Sequence, residues 1–461
     1  MRTRLVAAFL LAAIACQSTD TSSTLARASL QPDIDAEPQR ELVPIGGVEV
    51  VPVAPVGTSP PSTTAPAVMM TDLPAMSKPR VVENATGGGT WHWLNGVVRD
   101  NFGDGQMGLV QVGDSWEYWL VCRMGTSPVG GAFFRKPYDG NPYEWGEISK
   151  DATVKAIPGL TPYSHHNIDT HVFAQNPETG VVTFVHGVKP GTRPAGATGM
   201  IKALQRATAV DPQSVTPSSF TRFRQELFLQ VDPRAPWEGP MFYAGRNEFW
   251  GGVCESSILI EPDDNTAVGF YVGEMVEGPD AFGQRGRWRI GRWVAPLLDF
   301  DTAPAVLRDP PPSATSYVWD PRRDGGGGDY GDTNATAIWG TCNTVLQQHV
   351  SRAPDGSYHL VALGKQPSKL IGVENRSTAV GHWWSHDKGL TWQPDARNPI
   401  LTAADLGIDL TLQLANRINS PWLMWDPRGK VYLGVWCNRT GMQNQLGTRL
   451  VLCEAAIPQE Q

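Results

Sequence analysis

The sequence predicts an all-β protein, a five-bladed β-propeller, on three observations. Five segments repeat one pattern, in which a polar residue opens an apolar strand, a turn follows and a second apolar strand returns. The turns carry Pro, Gly and acidic residues, which are typical of reverse turns between strands. No segment shows the apolar periodicity of a long amphipathic helix. A hairpin repeated in this way indicates a propeller, because a single hairpin cannot bury its faces alone and must stack in a ring.

The five copies begin at Gln106, Asp169, Glu255, Cys342 and Asn419. Their turns are expected at 113–114, 177–180, 262–264, 354–356 and 427–429. Weaker strand signals after each hairpin predict the outer half of a blade. In a propeller the residue that opens each first strand lies at the mouth of a shared central funnel, so we expect the five opening residues to face it. The ring closes without an exposed sheet edge if residues 89–98 add a strand to the last copy.

The N-terminus predicts export. Residues 1–16 have a positive start, an apolar stretch and a small-residue exit, and are too short to span a membrane. Ala13-Ile14-Ala15-Cys16 resembles a bacterial lipoprotein cleavage box, with Cys16 as the lipid-bearing residue. Two alternatives follow: lipid anchoring in a bacterial cell envelope, or release outside the cell. Residues 17–85 are rich in Ser, Thr, Pro and Ala and predict a disordered tether, and the propeller domain covers 86–461.

Composition narrows the class of partner. The chain has 461 residues, 18% of them charged, and a net charge of -8 without basic runs, which excludes nucleic acid as the expected partner. No His-x-x-x-His or Cys-x-x-Cys spacing occurs, so we predict no metal-binding residues and no cofactor, with room left for a structural or funnel Ca²⁺. The expected oligomeric state is a monomer.

The 17 tryptophans exceed ordinary usage. Those in loops near the strand openings, including Trp237 and Trp250, are candidates for substrate binding, since flat aromatic rings pack on the apolar faces of sugars. Packing between blades is the competing role.

Two short motifs are similar to those of the five-bladed glycoside hydrolases of the arabinanase and β-xylosidase type. Ile168-Asp169-Thr170-His171-Val172-Phe173 resembles the Ile-Asp-Pro-x-x-Phe motif of their second blade, and Val112 to Trp119 resembles their first hairpin. The resemblance implies hydrolysis with inversion in the funnel. A blade-one Asp then acts as general base, a blade-two Asp orients and tunes, and a blade-three Glu acts as general acid. The carboxyl groups lie on opposite sides of the scissile bond.

Carried over by position, Asp169 matches the blade-two Asp. Two residues compete for the general acid: Glu255 lies in repeat register, whereas Glu238 lies in a Glu-Gly-Pro sequence like that of the family. The first copy presents Gln106, which cannot accept a proton, so the nearest acid, Asp104, is the candidate base. Each acid also has an alternative structural role, as an acceptor of backbone N–H groups.

Further polar residues near the strand openings are candidates for substrate binding. His165 and His166 could position a substrate or act as a base, and Arg246 and Arg417 could hold a sugar carboxylate bidentately. Gln106 and Asn419 open their copies. The leading hypothesis is an exported enzyme that hydrolyses a polysaccharide or oligosaccharide. The alternatives are a polysaccharide lyase, with a His or Tyr base and Arg at the uronic carboxylate, and a non-catalytic glycan-binding propeller.

One motif concerns architecture alone. Ser385-His386-Asp387-Lys388-Gly389-Leu390-Thr391-Trp392 matches the Asp-box, Ser-x-Asp-x-Gly-x-Thr-Trp, of sialidase-like propellers. In this turn the Asp accepts backbone N–H bonds, the Gly is left-handed and the Trp packs between hairpins. The motif predicts an outer hairpin and says little about catalysis.

Overall fold

Strands make up most of the part of the chain that the computed structural model describes. The described residues are 69–82, 102–124, 130–145, 171–188, 198–209, 224–239, 241–243, 248–279, 284–301, 306–328, 344–366, 376–406, 417–439 and 447–457. The strands in chain order are β1 (Arg80–Val81), β2 (Phe102–Val112), β3 (Ser115–Met124), β4 (Gly130–Pro137), β5 (His171–Gln175), β6 (Val182–Val188), β7 (Thr198–Ala209), β8 (Arg224–Leu229), β9 (Met241–Tyr243), β10 (Glu248–Glu261), β11 (Thr266–Pro279), β12 (Gln284–Pro296), β13 (Leu307–Arg308), β14 (Thr344–Arg352), β15 (Tyr358–Gln366), β16 (Arg376–Ser385), β17 (Gln393–Pro394), β18 (Leu401–Thr402), β19 (Arg417–Asp426), β20 (Lys430–Arg439) and β21 (Gly447–Ala456).

Helical structure is marginal by comparison. Within the described ranges it consists of one α-helical turn, α1 (Leu297–Phe300), and a 3₁₀ turn, Pro236–Glu238. No helix there is long and apolar enough to cross a membrane. The all-β class predicted from the sequence is confirmed at this level.

Antiparallel pairing joins the strands into successive groups. β2, β3 and β4 form the first group, β5 to β8 the second, and β10 to β13, with β9 on β10, the third. β14 to β16, with β17 and β18 on β16, form the fourth group, and β19 to β21, with β1, form the last. The first strand of each group contacts the first strand of the next, and β19 contacts β2. This is a β-propeller arrangement.

The hairpins predicted from the repeat are present. β2 and β3 are joined at Gly113-Asp114, and the other four first strands turn into their partners at the predicted positions. Gly113, Gly180, Gly356 and Gly429 have positive φ values, between 61° and 88°, which glycine adopts without steric cost in tight turns.

Apolar side chains are buried between neighbouring groups. Tyr118 and Phe134 of the first group pack with Trp422 and Trp436 of the last. Burial of this kind contributes about 25 cal/mol per Å² and is the main stabilising term. Tryptophans among the largest fully buried side chains are Trp119, Trp293, Trp319, Trp383, Trp422 and Trp436. The packing role of tryptophan therefore accounts for a large share of the 17 in the chain.

The folded body begins earlier than the boundary at residue 86 that composition predicts. Residues 69–82 lie against the body, with Leu73 and Val82 buried. β1 pairs antiparallel with β21, so Arg80–Val81 adds a strand to the last group. The closing strand expected at 89–98 lies outside the described residues, as do residues 1–68 with Cys16.

The turn at 385–392 has the contacts that its sequence requires. Asp387 Oδ1 accepts the N–H of Thr391 at 2.9 Å, and Gly389 has a φ of 79°. Trp392 is buried, with its ring centroid 5.8 Å from that of Phe270 in the third group. The turn thus links the third and fourth groups, and its likeness to the Asp-box stays a resemblance.

Candidate functional site

Four of the first strands are interrupted by a β-bulge before their apolar half. The interruptions lie between Gly103 and Gln106 in β2, between Cys254 and Ser257 in β10, between Leu346 and Gln348 in β14, and between Asn419 and Trp422 in β19. A bulge adds unpaired residues to one strand and re-aims their side chains. The bulge lies five paired residues before the turn in β10, β14 and β19 and seven before it in β2, so it marks the same end of these four first strands.

Strained backbone accompanies three of the bulges. Glu255, Gln347 and Ser420 have φ values of 45°, 54° and 42°. A non-glycine residue in this region costs about 1–3 kcal/mol, and such residues cluster at active sites and ligand clamps. Their repetition in three of the first strands makes this end of the strands the candidate site.

Glu255, one of the two candidate acids, lies in the β10 bulge and is only 3% exposed. Its backbone carbonyl accepts a hydrogen bond from Gln348 Nε2 of β14 at 2.8 Å. Ser256 and Ser257, the next two residues, are fully buried. Glu255 therefore lies in a polar, enclosed interface between the third and fourth groups.

The bulge in β2 corrects the register expected for the first copy. Asp104 and Gly105 lie between the paired residues Gly103 and Gln106, as Glu255 and Ser256 do in β10. Asp104, and not Gln106, is thus the equivalent of Glu255. Comparison of the two copies by sequence places Gln106 in register because β2 has two more paired residues than β10 between its bulge and its turn. The carbonyl of Gly105 accepts a hydrogen bond from Trp436 Nε1 at 3.3 Å, so this bulge too is held by another group.

Glu238, the competing acid, lies in a buried ion pair. Its Oε1 accepts hydrogen bonds from Tyr271 Oη at 2.6 Å and from Arg308 Nε at 2.8 Å. Its Oε2 accepts from Arg308 Nη2 at 2.9 Å and from the N–H of Asp232 at 2.8 Å. Burial and the Glu238 charge raise the pKa of Tyr271 well above 10, and the hydrogen bonds to Glu238 raise that of Arg308 despite burial. With both oxygens engaged, this environment favours a structural role for Glu238.

Trp237 does not fit the expected sugar-binding role. Its ring is 5% exposed, lies 5.8 Å from the ring of Tyr271 in a stacked arrangement, and donates its N–H to Ser313 and Ser316. Gly273 and Gly291 make room for it, since a Cβ on either would overlap the indole. Trp237 is a core residue of the third group.

Several predicted site residues cannot be placed. Asp169, His165, His166 and Arg246 lie outside the described residues. For Asp104, Arg417, Asn419 and Trp250 the backbone lies in a strand and the side chain is outside the described part.

Sequence reasoning missed the fourth group's contribution. Its copy was counted from Cys342, whereas the bulge residue is Gln347, followed by the buried Gln348. Gln347 and Gln348 also line a small cleft with Trp288, Arg289 and Trp319. A glutamine pair inside an apolar strand was the available signal.

Within the described ranges, no group of three or more His, Cys, Asp or Glu side chains could hold a metal ion.

No protein-family model matches the sequence, and no curated protein matches it. The fold is similar to that of solved glycoside hydrolases. A thermostable family-43 glycoside hydrolase has a TM-score of 0.43 at 12% identity, over 78% of this chain and 91% of the other. The endo-arabinase of Bacteroides thetaiotaomicron has a TM-score of 0.41 at 12% identity, over 78% and 96%.

The xylan β-1,4-xylosidase of Bacillus halodurans has a TM-score of 0.42 at 12% identity, and the match covers 76% of this chain and 52% of that enzyme. This chain therefore spans about half the length of the xylosidase. At such identities and TM-scores, the function has to be argued from the chain's own residues.

Proposed function

We propose that this chain is an exported glycoside hydrolase that cleaves a polysaccharide or oligosaccharide in the funnel of a five-bladed propeller. Glu255 is the general acid, Asp104 the general base, and Asp169 orients the substrate and tunes the acid. Water attacks the anomeric carbon directly, which inverts its configuration. This chemistry needs two carboxyl groups about 6.5–9.5 Å apart, with room for a water molecule between base and substrate.

The equivalence of two bulges carries the proposal. Asp104 and Glu255 occupy the same place in the bulges of β2 and β10, the first strands of two different groups. Strands that radiate from one axis aim equivalent positions at the same funnel. Two acids at one level, from different blades, can therefore face a bound sugar from opposite sides.

Five blades are supported by the cyclic order of the first strands. β2 contacts β5, β5 contacts β10, β10 contacts β14, β14 contacts β19, and β19 returns to β2. Export is supported by residues 1–16 alone, with Cys16 as the proposed lipid site.

The assay uses the purified chain and a panel of neutral and uronic polysaccharides. Reducing ends and the ultraviolet absorbance of unsaturated products are followed together. Reducing ends without absorbance support the hydrolase, and both signals together would replace it by a lyase. Binding of a glycan without either signal would make the propeller a binding module.

Variants then test the residues. Glu255→Gln and Asp104→Asn should each lower kcat by about 100-fold or more, since each removes a proton-transfer group. Glu238→Gln is the matched control. It removes another carboxylate from the third group of strands, one that an ion pair with Arg308 holds in place. It should retain kcat per folded molecule. Full activity in Glu255→Gln would refute the assignment of the acid.

A further inference from the structure

We infer that Gln348 of β14 is a positioning residue for Glu255, acting from the neighbouring group through the backbone of the bulge. The inference rests on the proposed function. Gln348 contacts no reacting atom. It sets the direction of the Glu255 side chain, which does.

The contacts run across the interface between the third and fourth groups. Gln348 is 3% exposed, and its Nε2 donates to the carbonyl oxygen of Glu255 at 2.8 Å. Its Oε1 accepts from Ser257 Oγ at 3.2 Å, and Ser257 Oγ accepts from the N–H of Val350 at 2.8 Å. Both ends of the amide are therefore fixed, and the residues on either side of Ser256 are tied to β14.

This clamp acts where the backbone is strained. Glu255 has a φ of 45°, which a side chain with a Cβ adopts only when its surroundings impose it. The orientation of the Glu255 carbonyl fixes the peptide plane after it, and with it the direction in which the side chain leaves the bulge. A small misplacement of a catalytic group can cost about 100-fold in rate. The amide of Gln348 therefore affects the rate through the direction of the Glu255 side chain.

The competing role is that Gln348 merely joins two blades. The chain offers a control of the same chemistry at the other end of the first strands. Gln175 of β5 bridges to β2, donating to the carbonyl of Gln111 at 2.7 Å and accepting its N–H at 2.7 Å. That bridge joins two groups and holds no bulge.

The experiment compares Gln348→Met with Gln175→Met, since methionine keeps the volume of glutamine and removes both hydrogen bonds. On the best substrate from the panel, we expect Gln348→Met to lower kcat by about 10- to 100-fold, with KM changed less than about threefold. The alkaline limb of the pH profile of kcat should shift, because the general acid must carry its proton and the surroundings of Glu255 change. Gln175→Met should leave kcat and the profile unchanged.

Two failures can be told apart. If Glu255→Gln is inactive and folded Gln348→Met keeps the natural kcat and pH profile, the positioning role is overturned and the proposed function stands. If Glu255→Gln keeps full activity, the proposed acid is wrong. A crystal structure of Gln348→Met then decides the clamp: an unchanged positive φ and carbonyl direction at Glu255 would overturn it. Should Gln348→Met not fold, Ser257→Ala, which removes only the hydroxyl that orients the amide, should lower kcat in the same direction, and an unchanged kcat there would count against the clamp.

Discussion

At the scale of single residues, burial decides the proton affinity of His349. The side chain lies in β14, is 4% exposed, and its Nδ1 has no hydrogen-bond partner in the described part of the chain. Because an imidazolium loses its hydration there, burial lowers the pKa of His349 from 6.5 to about 3. His359 and His382, on β15 and β16, are fully buried, and burial lowers the pKa of both.

The stability of the fold should therefore decline in acid. The unfolded chain protonates His349 near pH 6.5, whereas the folded protein keeps it neutral down to about 3, so the free energy of unfolding falls across this window as the pH drops. His349→Gln cannot take up this proton. Between pH 7 and about pH 4.5 the variant should lose less stability than the natural chain, by roughly 2–3 kcal/mol in urea denaturation. Equal losses in the two proteins would contradict the prediction.

The two candidate acids show why residue roles are hard to predict from sequence. In the sequence, Glu238 and Glu255 each come shortly before an apolar run, and Glu238 even has the more familiar neighbours, Gly239 and Pro240. What separates them is Arg308, which lies 70 positions beyond Glu238 and reaches it at 2.8 Å. A partner so distant in sequence leaves no local signal. The substrate-binding role expected for Trp237 fails for the same reason, since its ring packs on Tyr271 of β11, which is also distant in sequence.

At the scale of strands, two hairpins pair a glycine with a tryptophan on the neighbouring strand, and the indole packs over the glycine. Gly434 of β20 is the cross-strand partner of Trp422 in β19, and Gly269 of β11 is the partner of Trp293 in β12. A Cβ on either glycine would overlap the indole of its partner. Both tryptophans are 1% exposed, so each ring lies across its neighbour's backbone inside the core.

Gly434→Ala should therefore destabilise the protein. The added methyl group forces Trp422 away from its site, and overpacking of a filled core costs about 1–3 kcal/mol. Gly180→Asn serves as the control, because Gly180 lies in the β5–β6 turn with a φ of 72° and nothing within 4 Å of an added Cβ. Asn tolerates this conformation, so its cost should stay below about 1 kcal/mol. Urea denaturation measures the free energy of unfolding of both variants. Comparable losses would refute the packing role of Gly434.

The hairpins themselves were predictable, whereas their bulges were not. Alternating apolar residues and turn chemistry mark β2 and β3, as they do the other pairs, because both are local properties of the sequence. A bulge is a property of two strands at once. Aligning the copies by their opening residues therefore put Gln106 in register, left Asp104 as the candidate base upstream of it, and missed Gln347 in β14.

At the scale of the whole molecule, side chains of the first and last groups hold the ring together where the chain closes. Asp426, at the end of β19, accepts a hydrogen bond from Tyr138 Oη at 2.7 Å and from Arg428 Nε at 3.0 Å. Arg428 also donates to the carbonyl of Gly140 at 2.5 Å. The last group thus contacts the turn after β4 through polar side chains as well as through the shared core.

Residues 69–82 run across three groups at this closure. The N–H of Met70 donates to Asp355 of the fourth group at 2.5 Å, and the N–H of Leu73 donates to Asp395 at 3.2 Å. Ser77 donates its N–H to the carbonyl of Glu454 in the last group at 2.8 Å, and Arg80 pairs with Glu144 of the first at 3.4 Å. The segment therefore acts as a strap over the fourth, last and first groups.

The two carboxylates that receive the strap are linked inside the fourth group. Ser357 Oγ donates to Asp355 at 2.5 Å and contacts His359 Nε2 at 2.8 Å. His359 Nδ1 lies 2.9 Å from His382 Nε2, and His382 Nδ1 lies 2.8 Å from Asp395. This buried chain fixes both acceptors. Composition could not predict the strap, because its anchors are carboxylates elsewhere in the chain and half of its own residues are polar or proline.

Truncation tests the strap with a matched pair. A chain that starts at residue 69 keeps it, and a chain that starts at residue 83 loses the buried Leu73 and Val82, the pairing of β1 with β21 and the bonds to Asp355 and Asp395. Two buried aliphatic side chains contribute about 3–6 kcal/mol together, so the second chain should melt several degrees below the first. In calorimetry, the chain that starts at residue 69 should have the same melting temperature as the full-length protein. Equal midpoints for the two truncated chains would mean that residues 69–82 do not stabilise the propeller. Their buried contacts predict that they do.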